Sequence, residues 1–403
     1  MVTTEEIQEI VDTSDRLIAS TSTHFHRYLA SEIDWRDRLI CIKGARGTGK
    51  TTLMLQRIKE SFGVGGCAVY ISLDDLWFAN HDVRSAIEYF CSHGFTHVFI
   101  DEVHHLGANW SVLLKNLYDQ FPSLNFVYSG SSILRIETSK GDLSRRQAVY
   151  TLKGLSFREF LEFEGALNSP PVPFEELLSN HRAHALDVAS KIKVLPYFER
   201  YMKRGYYPFY KEVFGLYSQR IADIANKVLE SDWPAVEDVS METIRKAKKM
   251  LMVLASSVPQ QPNMSKLYRE LETERNTGLK ILSALDRGGL LALVPPKGEN
   301  LKNLSKPEKI YCDNTNLMYA LTPRIDVGTA RETFAFNQLR KDHVVVFSGV
   351  GDFLVDRRWR FEVGGPQKGF NQIKDLPDSF VACDGVEQGI GHKIPLWMFG
   401  FLY

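Results

Sequence analysis

The chain has 403 residues, room for about two to three domains, and its 44% hydrophobic, 11% aromatic and 24% charged residues exclude a disordered or fibrous chain. Forty-nine Lys and Arg balance 49 Asp and Glu, so any nucleic-acid surface has to come from local segregation of basic residues. Five cysteines (Cys41, Cys67, Cys91, Cys312, Cys383) form no C-x-x-C pair, which fits neither a disulfide framework nor a zinc ribbon and points to a reducing, cytoplasmic setting. Residues 1–9 carry acidic groups and no apolar signal core, and no stretch approaches the about 18 apolar residues that cross a bilayer, so no membrane partner is expected.

Residues 1–35 read as a helical lead-in, with Ile7, Ile10, Val11, Leu17 and Ile18 at helical spacing. From Arg38 short apolar runs at 39–42, 68–73, 97–100, 124–128 and 148–152 alternate with segments long enough for helices, which predicts an α/β domain with a five-stranded parallel sheet over 36–153. Residues 154–235 hold no convincing strand and are expected to form a helical lid subdomain, with a loop over 168–173. Over 240–322, amphipathic helices, a strand-like run at 290–294 and the turn-rich Pro295-Pro296-Lys297-Gly298-Glu299-Asn300 follow the helix, helix, helix, hairpin order of a winged helix. The last stretch, 328–403, predicts a small α/β unit with an apolar helix and strands near 344–347, 353–356 and 359–363. Its final run, 394–403, interrupted by Pro395 and Gly400, is expected as a buried terminal strand. There is no internal repeat and no low-complexity tract.

Gly44-Ala45-Arg46-Gly47-Thr48-Gly49-Lys50-Thr51 matches the P-loop pattern G-x-x-x-x-G-K-[ST], after one predicted strand and before the helical 52–60 that opens with Thr52. Glycines let successive amide N–H groups and the helix N-terminus face phosphates; Lys50 neutralises the β and γ oxygens, and Thr51 ligates Mg²⁺. The strand His97-Val98-Phe99-Ile100 runs into Asp101-Glu102, where Asp101 would hold Mg²⁺ through water and Glu102 would orient and deprotonate the attacking water. The next strand ends in Ser129-Gly130-Ser131-Ser132, hydroxyls at the carboxyl edge of the sheet, of which Ser131 is taken as the γ-phosphate sensor. Arg145 and Arg146 precede the fifth strand and could bring positive charge to the transferring phosphoryl, in cis or from a neighbouring copy in a homo-oligomer. ATP is the expected nucleotide: the guanine-reading N-K-x-D is absent, Asn226-Lys227-Val228-Leu229 lacking its Asp.

The chain resembles a bacterial and archaeal group of AAA-type ATPases related to the STAND and archaeal-ATPase clades. The resemblance is carried by Gly44-x-Arg46-x-x-Gly49-Lys50-Thr51-Thr52, Ile71-Ser72-Leu73-Asp74-Asp75, Phe99-Ile100-Asp101-Glu102-Val103-His104, Tyr118-Asp119, Ser129-Gly130-Ser131-Ser132, Leu143-Ser144-Arg145-Arg146 and Leu155-Ser156-Phe157-Arg158-Glu159-Phe160. It continues through Gly205-Tyr206-Tyr207-Pro208, Tyr311-x-Asp313-Asn314-Thr315-Asn316-Leu317 and the run from Ile394 to Tyr403. Arg146 matches the family's arginine, whereas Arg145 replaces its glycine. The resemblance implies a P-loop NTPase parallel sheet with a helical lid, a winged helix and a small restriction-endonuclease-like α/β tail.

Between residues 244 and 309 stand 13 Lys and Arg against six Asp and Glu, the electrostatic footprint of phosphate-backbone contact, with 264–271 as supporting helix, 276–287 as recognition helix and 296–306 as wing. DNA is the partner this suggests; the alternative is a protein-contact surface. In the tail, Glu332, Asp352, Asp356 and Glu362 follow the E…D…E-x-K order of restriction-endonuclease-like nucleases, but Gly364 stands at the lysine position and Lys368 lies four residues further on. Two residues apart keeps carboxylate and ammonium on one face of a strand, so the tail is expected to be inactive unless the Gly364-Gly365-Pro366 turn folds Lys368 back. The expected activity is Mg²⁺-dependent ATP binding and hydrolysis by an AAA-type switch. The alternatives are a nucleotide-gated DNA- or protein-binding scaffold with negligible turnover and an ATP-regulated nuclease.

Overall fold

The computed structural model describes residues 3–131, 143, 145–213, 215–257, 263–296 and 307–403, without the side chains of Ala108 and Ser131. The chain divides into two compact units, Met1–Lys153 with Glu230–Asp238, and Gly154–Leu229 with Val239–Tyr403. The segment read from sequence as the end of a helical subdomain therefore packs, from Glu230 to Asp238, with the first unit.

The first unit opens with α1 (Thr4–Ser20), whose start is fixed by a capping box: the Thr3 hydroxyl accepts from the Glu6 N–H while the Glu6 carboxylate accepts from the Thr3 N–H. It continues through β1 (Leu39–Gly44), α2 (Lys50–Ser61), β2 (Ala68–Ser72), α3 (Val83–Ser92), β3 (His97–Asp101), α4 (Trp110–Gln120), β4 (Asn125–Ser131) and β5 (Ala148–Thr151). The sheet order is β2-β3-β4-β1-β5 and every pairing is parallel. Leu39 and Cys41 of β1, Val69 and Ile71 of β2, Val98 and Ile100 of β3 and Phe126 and Tyr128 of β4 share one core with Ile7, the α3 residues Ala86, Ile87 and Phe90, and the α4 residues Leu114 and Leu117. The alternate β1 residues, Ile40 and Ile42, are equally buried, which is why the strand is apolar throughout rather than alternating. This order brings the carboxyl ends of β1, β4 and β3 side by side, with Gly44 opposite Ser131 and Ile100 opposite Tyr128.

The second unit begins with four helices, α5 (Phe157–Phe163), α6 (Phe174–Lys191), α7 (Val194–Arg204) and α8 (Tyr217–Lys227). It resumes with α9 (Met241–Ala255), α10 (Met264–Glu270), α11 (Arg275–Arg287) and the antiparallel pair β6 (Leu291–Val294) and β7 (Lys309–Cys312). The connection between these strands, including Lys297, Lys302 and Lys306, lies outside the described residues up to residue 306. Then come α12 (Thr315–Leu321), α13 (Val327–Leu339) and a sheet of order β12-β11-β10-β9-β8. Its strands are β8 (Val345–Phe347), β9 (Phe353–Val355), β10 (Trp359–Gly364), β11 (Ser379–Cys383) and β12 (Lys393–Pro395). The final run is buried as expected, but only its start is strand. Pro395 has no N–H to extend the ladder, and Leu396–Phe401 coils into a 3-10 turn. The turn packs Trp397 and Phe401 against Phe157, and the Tyr403 backbone oxygen accepts from Ser156 Oγ (2.7 Å) and Arg158 Nε (2.9 Å), so two sequence-distant stretches close on each other.

A single amide organises the helices around α12. Asn316 Oδ1 accepts from the N–H groups of Gly205 (2.7 Å) and Tyr206 (2.9 Å) and from the Tyr217 hydroxyl (2.6 Å), while its Nδ2 donates to the carbonyls of Tyr201 (2.9 Å) and Met202 (3.0 Å). These groups cap the end of α7 in a dry environment, where each orphaned polar group costs about 1–3 kcal/mol. Asn316→Ala is expected to destabilise the second unit by about 3 kcal/mol, read as a lower urea midpoint; an unchanged midpoint contradicts this.

Candidate functional site

The P-loop connects β1 to α2 by a backbone that only glycine accommodates at two points. Gly49, immediately before α2, has φ 95°, and a Cβ on Gly44 would lie 2.4 Å from the Leu152 carbonyl oxygen. Thr48 is fully buried and its Oγ1 donates to the Ala45 carbonyl at 2.9 Å, while Gly47 (φ 82°) turns the chain between them. Lys50 is 6% exposed and its Nζ donates to the Gly44 (3.0 Å) and Ala45 (3.1 Å) carbonyls. Burial pulls this ammonium below its ordinary pKa, opposed by the charges of Glu102 and Asp101. Thr51 and Thr52 are exposed at the start of α2.

Asp101 ends β3 and is 2% exposed. Its carboxylate accepts from Thr51 Oγ1 (2.5 Å), the Tyr70 hydroxyl (2.9 Å), the Ser129 hydroxyl and the Glu102 N–H (3.0 Å). Burial first, and then the Asp101 charge, push the Tyr70 phenol well above its usual range, so it remains a donor. Glu102 takes the left-handed conformation, φ 56°, with its N–H also within 3.3 Å of Ser129 Oγ. The structure thus brings together Lys50, Thr51, Asp101 and Glu102, and it is Ser129 of the serine run that touches the acidic pair; the Ser131 side chain and Ser132 lie outside the described residues.

Arg146 is not brought to this edge. It precedes β5, whose Ala148 is paired with Ile40 near the start of β1, about 13 Å of parallel strand from Gly44. Its guanidinium pairs with Asp119 at the end of α4 at 3.2 Å.

Two residues around the P-loop were not signalled by any motif. Arg27, buried in the lead-in, donates to the carbonyls of Thr48 and Lys153 (2.8 Å) and so braces the loop from behind. Asp232, from the segment that returns to this unit, lies 3.1 Å from Arg46 Nη1 and 3.5 Å from His104 Nε2. Arg46 and His104 in turn stand 4.0 Å and 3.1 Å from the two Glu102 oxygens. No local sequence signal marks either residue, since each meets the P-loop only through contacts between stretches distant in sequence.

In the second unit Glu332 lies on α13, Asp352 just before β9 and Glu362 on β10. Lys309 Nζ, from the start of β7, sits between Glu332 (2.7 Å) and Asp352 (2.8 Å), and the Tyr311 hydroxyl donates to Glu332. Burial works against the Lys309 ammonium, but Asp352 and Glu332 outweigh it and hold its pKa above the ordinary value. The Gly364-Gly365-Pro366 turn folds back, closed by Lys368 N–H to the Gly365 carbonyl (2.9 Å), and the Lys368 ammonium pairs with Glu362. A Cβ on Gly364 would lie 2.6–2.8 Å from the Lys368 stem, so the lysine fills the space that a side chain at 364 would need. Asp356 is instead engaged by His343 Nδ1 at 2.7 Å.

Among the described residues no helix is long and apolar enough to cross a membrane. Residues 36–161 match the family model of an AAA domain, and residues 195–327 that of a domain of unknown function (DUF8612). The chain is similar to the uncharacterized protein MJ1637 of Methanocaldococcus jannaschii, 27% identical over 332 residues, 77% of this chain and 68% of that protein. Among solved structures, RuvB of Thermotoga maritima aligns with TM-score 0.32 and 17% identity over 73% of this chain and 90% of its own. AMPPCP-bound DnaA from Aquifex aeolicus aligns with TM-score 0.28 and 15% identity, over 72% and 90%. The parallel sheet order, the P-loop and the family match together make residues 36–161 an AAA-type P-loop domain, a nucleotide-binding fold.

Proposed function

We propose that this protein is a Mg²⁺-dependent ATP hydrolase working as a nucleotide switch. The observation that carries this reading is the meeting of Thr51 Oγ1 and Asp101 Oδ2 at 2.5 Å beside Lys50 and Glu102. That hydroxyl and carboxylate are the hard oxygen donors Mg²⁺ prefers, and they already converge without further rearrangement of the strands. Bound there, Mg²⁺ supplies charge neutralisation at the phosphates. Residues 44–52 cradle the phosphates with their N–H groups, and Lys50 exchanges its two carbonyl acceptors for phosphate oxygens, a stronger charge-assisted bond. Glu102 accepts the proton of the attacking water, and Ser131 senses the γ-phosphate. Arg146, at the opposite edge of the sheet from the P-loop, acts on a neighbouring copy, which makes the active form a homo-oligomer.

Purified protein is expected to release phosphate from Mg-ATP. Lys50→Ala should abolish it, and Glu102→Gln should bind ATP while turning over about a hundredfold more slowly. Wild type and Lys50→Ala proteins releasing phosphate equally slowly, with no ATP binding, would show the reading to be wrong.

We assign residues 154–229 as a lid, 240–322 as a winged helix and 328–403 as a restriction-endonuclease-like domain. For DNA contact through 244–309 the support is the basic excess and the exposure of Arg245, Arg269 and Arg275. Part of that excess is spent inside the unit: Lys246 and Lys249 donate to carbonyls that follow or end α10, at 2.8 and 3.1 Å, and Lys309 is held by the tail carboxylates. DNA affinity that falls with salt and changes with ATP is the expected outcome for a gated contact; affinity without a salt slope excludes phosphate contact.

The tail itself is proposed to cleave neither DNA nor RNA. The turn does return Lys368 to Glu362, the arrangement under which the spacing allows activity, and what argues against cleavage is Lys309, which occupies the space between Glu332 and Asp352 with its own positive charge and satisfies those two carboxylates from within the chain. Digestion of plasmid and single-stranded substrates with Mg²⁺ or Mn²⁺ is expected to give no cleavage that Glu362→Ala and Lys368→Ala both abolish. Cleavage lost in both variants would make the tail a nuclease.

A further inference from the structure

We propose that Asp232 is a positioning residue for Glu102: it draws Arg46 away from the Glu102 carboxylate and so keeps that carboxylate directed at the attacking water. The inference rests on the ATPase reading above and adds to it a residue that lies in no P-loop motif. Asp232 is 0% exposed and ends the wide helical turn Val228–Asp232 that leads into the short helix Trp233–Val236. A carboxylate is buried this deeply only where partners replace water, and its partners include Arg46 Nη1, at 3.1 and 3.4 Å from its two oxygens, with His104 Nε2 3.5 Å away.

Both partners also face Glu102. Arg46 Nη2 stands 4.0 Å from Oε1 and His104 Nδ1 3.1 Å from Oε2, and neither His104 nitrogen closes a hydrogen bond. Two carboxylates thus compete for one guanidinium, and Asp232 holds it at hydrogen-bond distance while Glu102 does not. With the Glu102 N–H fixed by Asp101 and Ser129, the direction of its side chain is decided by these partners. If the Asp232 charge is removed, Arg46 is left with Glu102 as its nearest carboxylate. A carboxylate forked by a guanidinium is turned from water to the P-loop arginine. Both ends of the 230–238 segment continue into the second unit, so the seating of Asp232 is covalently tied to that part of the chain.

The test uses initial rates of phosphate release against Mg-ATP for the full-length wild type, Asp232→Asn, Arg46→Gln and the double variant. Asp232→Asn is expected to lower kcat about tenfold or more with KM within about threefold, and the double variant to match Arg46→Gln in kcat within about threefold. Asp232→Asn with kcat within about twofold of wild type overturns the inference, as does a double variant more than about threefold slower than Arg46→Gln. Should Asp232→Asn alone not fold, the double variant against Arg46→Gln carries the test, a further loss above about threefold being the contradicting result. Wild type no faster than Lys50→Ala removes the ATPase reading itself and this inference with it; wild-type turnover with an indifferent Asp232→Asn removes only the inference.

Discussion

The site depends on one buried anion. Asp101 is 2% exposed, and a carboxylate so placed is tolerable only with its oxygens saturated by donors. Those donors come from the start of α2 (Thr51), from β2 (Tyr70), from β4 (Ser129) and from the residue that follows its strand (Glu102 N–H). The order β2-β3-β4-β1 is what makes this possible, because it surrounds the end of β3 with its two neighbours and sets the P-loop one strand further on. The left-handed turn at Glu102 follows from the same network, since its N–H is held by Asp101 and Ser129. Seating of the P-loop and placement of the Glu102 backbone are therefore one hydrogen-bonded event rather than two.

The two units handle buried charge in opposite ways. Around the P-loop, the Lys50 ammonium donates to the Gly44 and Ala45 carbonyls, and Arg46 stands 4.0 Å from Glu102, beyond hydrogen-bond distance, so both retain capacity for a substrate. In the tail, Lys309 and Lys368 satisfy Glu332, Asp352 and Glu362, and Arg340 meets Asp313 beside the Asn316 cluster. Groups satisfied in this way fix a fold and leave little for a ligand. The contrast is why activity is assigned to the first unit.

Most of the first unit was legible in the sequence because each strand is a short apolar run bounded by polar turns, and because the P-loop and Asp101-Glu102 sit at strand ends where their chemistry has a place. The helix-helix-helix-hairpin order of 240–322 was legible for the same reason. What was not legible depended on long-range contact. Asp232 and Arg27 carry no local pattern and take their place at the P-loop only through the fold. The return of Lys368 to Glu362 depends on a turn whose closure the spacing alone does not fix. The basic excess over 244–309 overcounted available charge, since the burial of Lys309 is decided by residues that follow it by more than a full helix. The terminal run was read as strand from its apolar content, but Pro395 stops the ladder there.

The most direct test of the account is calorimetric titration of a non-hydrolysable ATP analogue into the full-length protein, with Mg²⁺ and with the metal chelated. Saturable binding of one nucleotide per chain, tightened by Mg²⁺ and lost in Lys50→Ala, is the expected result. Absence of any binding heat at millimolar nucleotide, or binding indifferent to Lys50, would contradict it.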